Sequence, residues 1–216
     1  MDEHKTKKLL NDMSKRIKET ERNSHESYIK NNRLQTSISI RSKYTDYAWI
    51  ALHSENFKIL AEILKDEEVL EINAGTGIIG FYLNNKYNTN IHMTTLKDDP
   101  WYERVMSDLS IDNLENLDAV SAINKYPDKK TILSIWPPYC DNFMVDVLRD
   151  LKGRRLVLIS EGDGGCVSSK EFWDELYKNS DKYIVKEDHN WVPYDGLNDF
   201  VMIIEEKRVN NGSNHN

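Results

Sequence analysis

The sequence predicts an α/β protein in which a mostly parallel sheet is flanked by helices and closed by an antiparallel strand. Three observations carry that prediction. Short apolar runs alternate with amphipathic helical stretches between Val69 and Ser160, the rhythm of strand–helix crossovers. The run Leu156, Val157, Leu158 and Ile159 is apolar throughout, as a strand covered on both faces must be. Near the end, Tyr183–Trp191 and Phe200–Glu206 are strand-like runs joined only by a turn containing Pro193-Tyr194-Asp195-Gly196. A connection that short implies an antiparallel pair.

The elements follow in order. Residues 1–43 form a basic arm with eleven Lys/Arg against six Asp/Glu, whereas the rest of the chain carries eighteen against thirty. Within the arm, His4 to Arg22 reads as a charged helix with Leu9, Leu10, Met13 and Ile17 in one thin apolar stripe, interrupted at Asn23 and Ser24. Such a stripe suits a helix lying on its own domain, and a basic arm also suits contact with nucleic acid. Ser37 to Arg41 alternates polar and apolar and reads as extended. Tyr44 to Trp49 is an aromatic approach to a helix over Ser54–Lys65, where Phe57, Leu60, Ile63 and Leu64 recur at helical spacing. A strand at Val69–Asn73 leads through a glycine turn into a helix ending near Lys86. Asn90–Leu96 is the second strand, followed by a helix around Trp101–Leu109. Leu117–Ile123 and Thr131–Trp136 are read as strands three and four. A helix over Asp141–Leu151 follows, with Gly153 as its left-handed terminator, and then strand Arg154–Ser160. Ser168 and Glu171 have capping-box spacing before the next helix. Residues 44–208 thus read as one domain, and 209–216, rich in Asn, Ser, Gly and His, as a disordered tail.

Composition excludes several function classes. No apolar run approaches membrane-spanning length, and the N-terminus is charged from its second residue, with no signal-peptide apolar region. An intracellular, cytoplasmic setting is the expectation. Cys140 and Cys166 are too few for a disulfide framework or a cysteine zinc site, and the six His are scattered without ligand spacing, so no metal site is expected. With a net charge of −7, the acidic body would not bind nucleic acid through bulk charge, leaving only the arm for that role.

The stretch Glu71-Ile72-Asn73-Ala74-Gly75-Thr76-Gly77-Ile78-Ile79-Gly80 passes from strand through glycine turn to helix. That context lets a ligand approach the backbone beside unpaired helix N–H groups. Gly75 to Gly80 also satisfies G-x-G-x-x-G, so a dinucleotide is one candidate ligand. At the end of strand four stands Trp136-Pro137-Pro138-Tyr139, which has no part in dinucleotide binding.

Together, Glu71 to Gly77 and Trp136 to Tyr139 resemble two motifs of the class I S-adenosylmethionine (SAM)-dependent methyltransferases, an acid followed by small or Gly residues and Asp/Asn-Pro-Pro-Tyr. The resemblance spans roughly residues 44–208. It implies a three-layer α/β/α Rossmann-like methyltransferase fold with a mostly parallel seven-stranded sheet and an antiparallel last strand, a SAM cofactor and an unidentified methyl acceptor. By the same resemblance Asn73, Ala74, Gly75, Thr76 and Gly77 wrap the methionine part of SAM. Glu71 lies beneath them, Asp98 or Asp99 takes the ribose, Asn124 borders the adenine, and Tyr47 and Trp49 cover the site. Trp136, Pro137, Pro138 and Tyr139 then face the acceptor.

Three departures bear on activity: Asn73 in the glycine motif, Leu96 where a ribose-binding acid is expected, and Trp136 in place of Asp/Asn. Indole N–H donates but cannot accept, so Trp136 cannot take a hydrogen bond from a substrate amine. The loop Glu161-Gly162-Asp163-Gly164-Gly165-Cys166 suits a substrate or lid loop and suits a plain connection as well. Competing readings are a methyltransferase-fold protein that has lost catalysis and serves as a binding or regulatory subunit, and an NAD-dependent oxidoreductase.

Overall fold

The computed structural model describes residues 2–30, 45, 47–97, 111–194 and 196–207. The extended segment expected at Ser37–Arg41, the helix expected around Trp101–Leu109, Asp98 and Asp99, and the tail from Val209 lie outside the described residues.

Helix α1 (Glu3–Lys30) runs through Asn23 and Ser24, where the sequence suggested a break; these residues disfavour a helix interior by only tenths of a kcal/mol each. Then come α2 (Ser54–Ile63), β1 (Glu68–Ile72), α3 (Ile78–Tyr87), β2 (Asn90–Thr95) and β3 (Leu114–Asn116). They are followed by α4 (Ala119–Lys125), β4 (Thr131–Ile135), α5 (Phe143–Arg149), β5 (Arg155–Ser160), α6 (Lys170–Lys178), β6 (Tyr183–Asp188) and β7 (Phe200–Glu206).

Two assignments are corrected. Leu117–Ile123 is not a strand: β3 ends at Asn116, and Asp118 caps α4 by accepting a hydrogen bond from the Ser121 N–H at 2.9 Å. Ala119, Ala122 and Ile123 then fall on one buried helical face. The cap of α6 is Ser169, not Ser168. Ser168 instead adopts a left-handed backbone (φ 61°), and its N–H donates to the Pro137 carbonyl at 3.0 Å, tying the loop after β5 to the loop after β4. Gly153 is left-handed as expected (φ 78°), in the turn before β5 and not directly at the end of α5.

The strands form one seven-stranded sheet in the order β3-β2-β1-β4-β5-β7-β6. All pairs are parallel except those of β7, which runs antiparallel to both β5 and β6. This is the class I methyltransferase fold. The terminal antiparallel pair is present, although its connection spans residues 189–199, longer than the tight turn expected. β7 inserts between β5 and β6, which leaves β6 at the edge with Ile184 and Val185 partly exposed. Strand order reverses between β1 and β4, and crevices for ligands form at such reversals, beyond the carboxyl ends of the strands.

Residues alternate across the sheet and make two cores. Val69, Leu133, Val157, Ile159 and Val201 face α1, α2 and α3. Leu70, Ile72, Ile132, Leu156, Leu158 and Ile204 face α4, α5 and α6. The thin stripe of α1 belongs to the first core: Leu9, Met13 and Ile17 are buried there. Among the described residues, no helix is long and apolar enough to cross a membrane.

Candidate functional site

The carboxyl ends of β1 and β4 open into a cavity of about 450 Å³, within the range typical of small-molecule sites. Two glycine-rich or proline-rich turns, one after each strand, make its floor and one wall. Tyr47, Ala48 and Trp49 form the opposite wall.

The turn after β1 is held from three sides. Asn73 sits at φ 48°, a left-handed position where Gly is ordinary and Asn is the best-tolerated substitute. Its side chain bridges to β4: Nδ2 donates to the Ile135 carbonyl at 3.0 Å, and Oδ1 accepts from the Ser134 hydroxyl at 2.6 Å. Thr76, fully buried, donates from Oγ1 to the Tyr47 carbonyl at 2.7 Å, fastening the turn to the N-terminal wall. Gly75 (φ 56°) and Gly77 (φ 73°) supply the remaining left-handed positions. Gly77 caps α3 and lies below the cavity surface, where its role is to reverse the chain: its N–H donates to the Ala74 carbonyl at 2.8 Å.

Glu71 is the unusual group. It is 1% exposed, and its Oε2 is buried without a hydrogen-bond partner, under the turn and at the cavity floor. Burial pushes its carboxyl up to about 8, an effect the adjacent Gly80 N–H opposes only in part. Gly80 is what admits the carboxyl: a Cβ there would stand 2.3 Å from Glu71 Oε2 and 2.8 Å from Met93.

On the β4 side, Trp136 also holds a left-handed backbone (φ 51°), with its N–H donating to the Ile159 carbonyl at 3.1 Å. Its indole Nε1 donates to Oδ1 of the buried Asp199 at 2.9 Å, and its ring lies nearly parallel to Trp49, 12° off and 5.8 Å between centroids. Pro138 bridges to Val167, which brings Cys166 to the cavity mouth beside the half-exposed Tyr139.

Of the residues singled out in the sequence, the cavity gathers Tyr47, Trp49, Glu71, Asn73, Ala74, Gly75, Thr76, Trp136, Pro137, Pro138 and Tyr139. Asn124 is not among them: it is exposed on α4, its amide spent on the Val120 carbonyl at 2.9 Å, because the true end of β3 is eight residues earlier. Leu96, at the end of β2, is 57% exposed and polar contact there is impossible for its side chain. Two orienting residues went unrecognised in the sequence, as did the lining residues Ala48, Ile79, Thr95 and Ile135. Asp199 and Ser134 orient Trp136 and Asn73, and neither carries a local motif; only the sheet order brings them there. Among the described residues no cluster of His, Cys, Asp and Glu could hold a metal ion.

Solved structures resemble this fold at low sequence identity. A mutant of MtNAS crystallised with S-adenosylmethionine aligns at TM-score 0.50 and 13% identity over 89% of this chain and 73% of its own. The B. subtilis tRNA methyltransferase TrmK aligns at TM-score 0.47 and 16% identity over 71% of this chain, which spans 66% of the length of TrmK. Aeropyrum pernix fibrillarin, with natively bound S-adenosyl-L-methionine, aligns at 0.41 and 15% over 69% of this chain and 76% of its own. No protein-family model and no curated protein matches the sequence.

Proposed function

We propose that the protein is a SAM-dependent methyltransferase. The single observation that carries this reading is that one cavity, at the sheet's reversal point, collects both the glycine turn after β1 and the Trp-Pro-Pro-Tyr turn after β4. The donor set fits the cofactor. Glu71 Oε2 is a buried acceptor with no partner, and a cationic ammonium group would satisfy it and return the carboxyl to its charged form. The backbone of Asn73 to Thr76 would border the methionine moiety, Tyr47 would cover it, and Trp49 would close the outer end of the cavity against Trp136. Asp98 or Asp99 would hold the ribose hydroxyls in place of Leu96, and the turn that follows β3 would border the adenine.

When bound, the cofactor supplies a methyl group already activated on a sulfonium. The chain's task is therefore alignment and exclusion of water, and no dedicated base is required. Pro137, Pro138 and Tyr139 shape the acceptor's approach, and Trp136, locked by Asp199, closes the floor behind it. The exposed Lys7, Lys8, Lys18 and Arg22 of α1 offer a route to a nucleic-acid acceptor, with a small molecule as the other class.

A second reading, a fold member without catalysis, draws on two observations: Leu96 stands where an acid is expected, and the Trp136 indole is committed to Asp199. Calorimetric titration with SAM, S-adenosylhomocysteine and NAD separates the possibilities. Micromolar binding of the first two and none of NAD is expected; binding of NAD alone, or of nothing, would sink the proposal.

A further inference from the structure

We infer that the outer end of the cavity is an acceptor subsite for an uncharged planar heteroaromatic ring, which stacks on Trp136 in the place that Trp49 occupies in this structure. The inference deepens the methyltransferase reading by naming the class of acceptor.

Trp136 has the attributes of a fixed platform. Its ring is anchored from behind by the 2.9 Å bond to Asp199, which is 4% exposed, and its backbone is held left-handed against Ile159. A bulky residue rarely keeps that conformation unless its surroundings impose it, and such positions concentrate at ligand clamps. Trp49 has the attributes of a replaceable occupant. It is 46% exposed, belongs to no helix or strand, and lies face to face with Trp136 at a 12° interplanar angle. An indole in that pose is an intramolecular stand-in for a flat ligand, and exchanging one ring for another preserves the stacking contact.

The surroundings set the charge of the ligand. Among the described residues no Lys, Arg or His lines the cavity, so an anionic acceptor would enter without a counter-charge. Among the described residues the one lining carboxyl, Glu71, lies under the glycine turn of β1 and is assigned to the cofactor side. Asp199, which holds Trp136 from behind, is buried and does not line the cavity, so a cationic acceptor meets no carboxylate on the surface of the slot. Pro137, Pro138 and Tyr139 complete an apolar slot. A heteroatom with a free lone pair is the remaining requirement, since the methyl group needs a nucleophile and, among the described residues, no carboxylate, Lys or His lines the slot beside Trp136 to make one.

The test uses the full chain saturated with S-adenosylhomocysteine, whose own binding is measured by calorimetry for each variant. Adenine, quinoline and nicotinamide, and separately a short single-stranded oligoadenylate RNA, are titrated while tryptophan fluorescence is followed. Trp49→Ala vacates the platform and is expected to tighten binding of at least one free ring by roughly 2- to 10-fold, the worth of one aromatic pair. Trp136→Leu is expected to abolish ring binding while S-adenosylhomocysteine still binds. Tighter binding of the free ring than of the RNA identifies a small-molecule acceptor, and the reverse identifies a base presented by RNA. The inference is overturned if no ring binds Trp49→Ala more tightly than the wild type, or if Trp136→Leu binds rings as the wild type does. Should Trp136→Leu not fold, Trp49→Ala decides alone, its side chain being half exposed. Ring binding that persists without any S-adenosylhomocysteine affinity would overturn the cofactor assignment and leave the ring subsite standing.

Discussion

Asn73 and Glu71 lie two residues apart and stress the turn in opposite ways. Asn73 accepts a left-handed backbone that Gly would adopt freely, and in return its amide ties β1 to β4 through Ser134 and Ile135. Asn73→Gly should therefore relieve the backbone yet lose about 1–2 kcal/mol of stability from two missing hydrogen bonds, read as a lower urea midpoint with unchanged slope. SAM affinity should fall with it, because the turn is no longer pinned to β4. Glu71 is a carboxylic acid held near-neutral by burial, its carboxyl raised from 4.5 to about 8. The folded state therefore keeps a proton that the unfolded chain releases above pH 4.5. Stability is fully present below that value, falls as pH rises toward 8 at up to about 1.4 kcal/mol per pH unit, and levels off beyond it. Glu71→Gln, which cannot ionise, should flatten that decline in urea titrations between pH 5 and 8. If the wild type shows no such slope, Glu71 is charged in the folded state and the ammonium assignment loses its basis. Glu115 works with the opposite sign. Lys125 and Tyr126, with His92, hold its carboxyl down to about 2, so its contribution is present above 4.5 and lost as pH falls toward 2.

Elements meet at the site because α3 packs unusually close to β1 and β2. Gly80 makes that possible, and Gly80→Ala should be strongly damaging. A Cβ at 2.3 Å from Glu71 Oε2 and 2.8 Å from Met93 forces α3 away from the sheet, at a cost of roughly 1–3 kcal/mol or more, and should weaken SAM binding in the same measurement. The sequence read Gly80 only as the last glycine of a dinucleotide-type pattern. Its real partner, Glu71, is nine residues earlier and is recognisable only once strand and helix are folded together. Legibility followed range. Strand β5 and the turn after β1 were readable because their signals are local: unbroken apolar residues, and glycines at a strand end. Strand β3 was misplaced because three residues are too few for a periodicity, whereas the following Leu117–Ile123 run mixes small and β-branched residues that suit either state. Asp118 was the missed cue, since an Asp three residues before an N–H it can accept from marks a helix start; Asp118→Ala should cost about 0.5–2 kcal/mol through loss of that cap. The placement of Asn124 failed with β3. Asp199 and Ser134 could not have been read at all, because the contacts they make depend on which strands are neighbours.

Across the whole molecule, α1 links the surface chemistry of the arm to the glycine turn after β1. Its apolar stripe covers the core above α3, with Met13 1% exposed, and the Arg16 guanidinium stacks 3.6 Å above the Tyr47 ring. Tyr47 in turn accepts the Thr76 hydroxyl bond that holds the glycine turn. The opposite face of α1 carries its charge in solvent. The two faces should therefore separate by mutation. Met13→Ala leaves a cavity and should cost about 2–5 kcal/mol, with SAM affinity falling as the Arg16–Tyr47–Thr76 connection loosens. Lys7→Glu, Lys18→Glu and Arg22→Glu combined lie on the exposed face and should each change stability by no more than about 0.5 kcal/mol. If α1 contacts nucleic acid, that triple variant loses retention of single-stranded RNA at low salt and the salt dependence of what remains becomes shallower, because fewer counterions are released. Unchanged retention with an unchanged salt slope would assign α1 to folding and to support of the turn, and would leave a small heteroaromatic molecule as the acceptor that fits the cavity best.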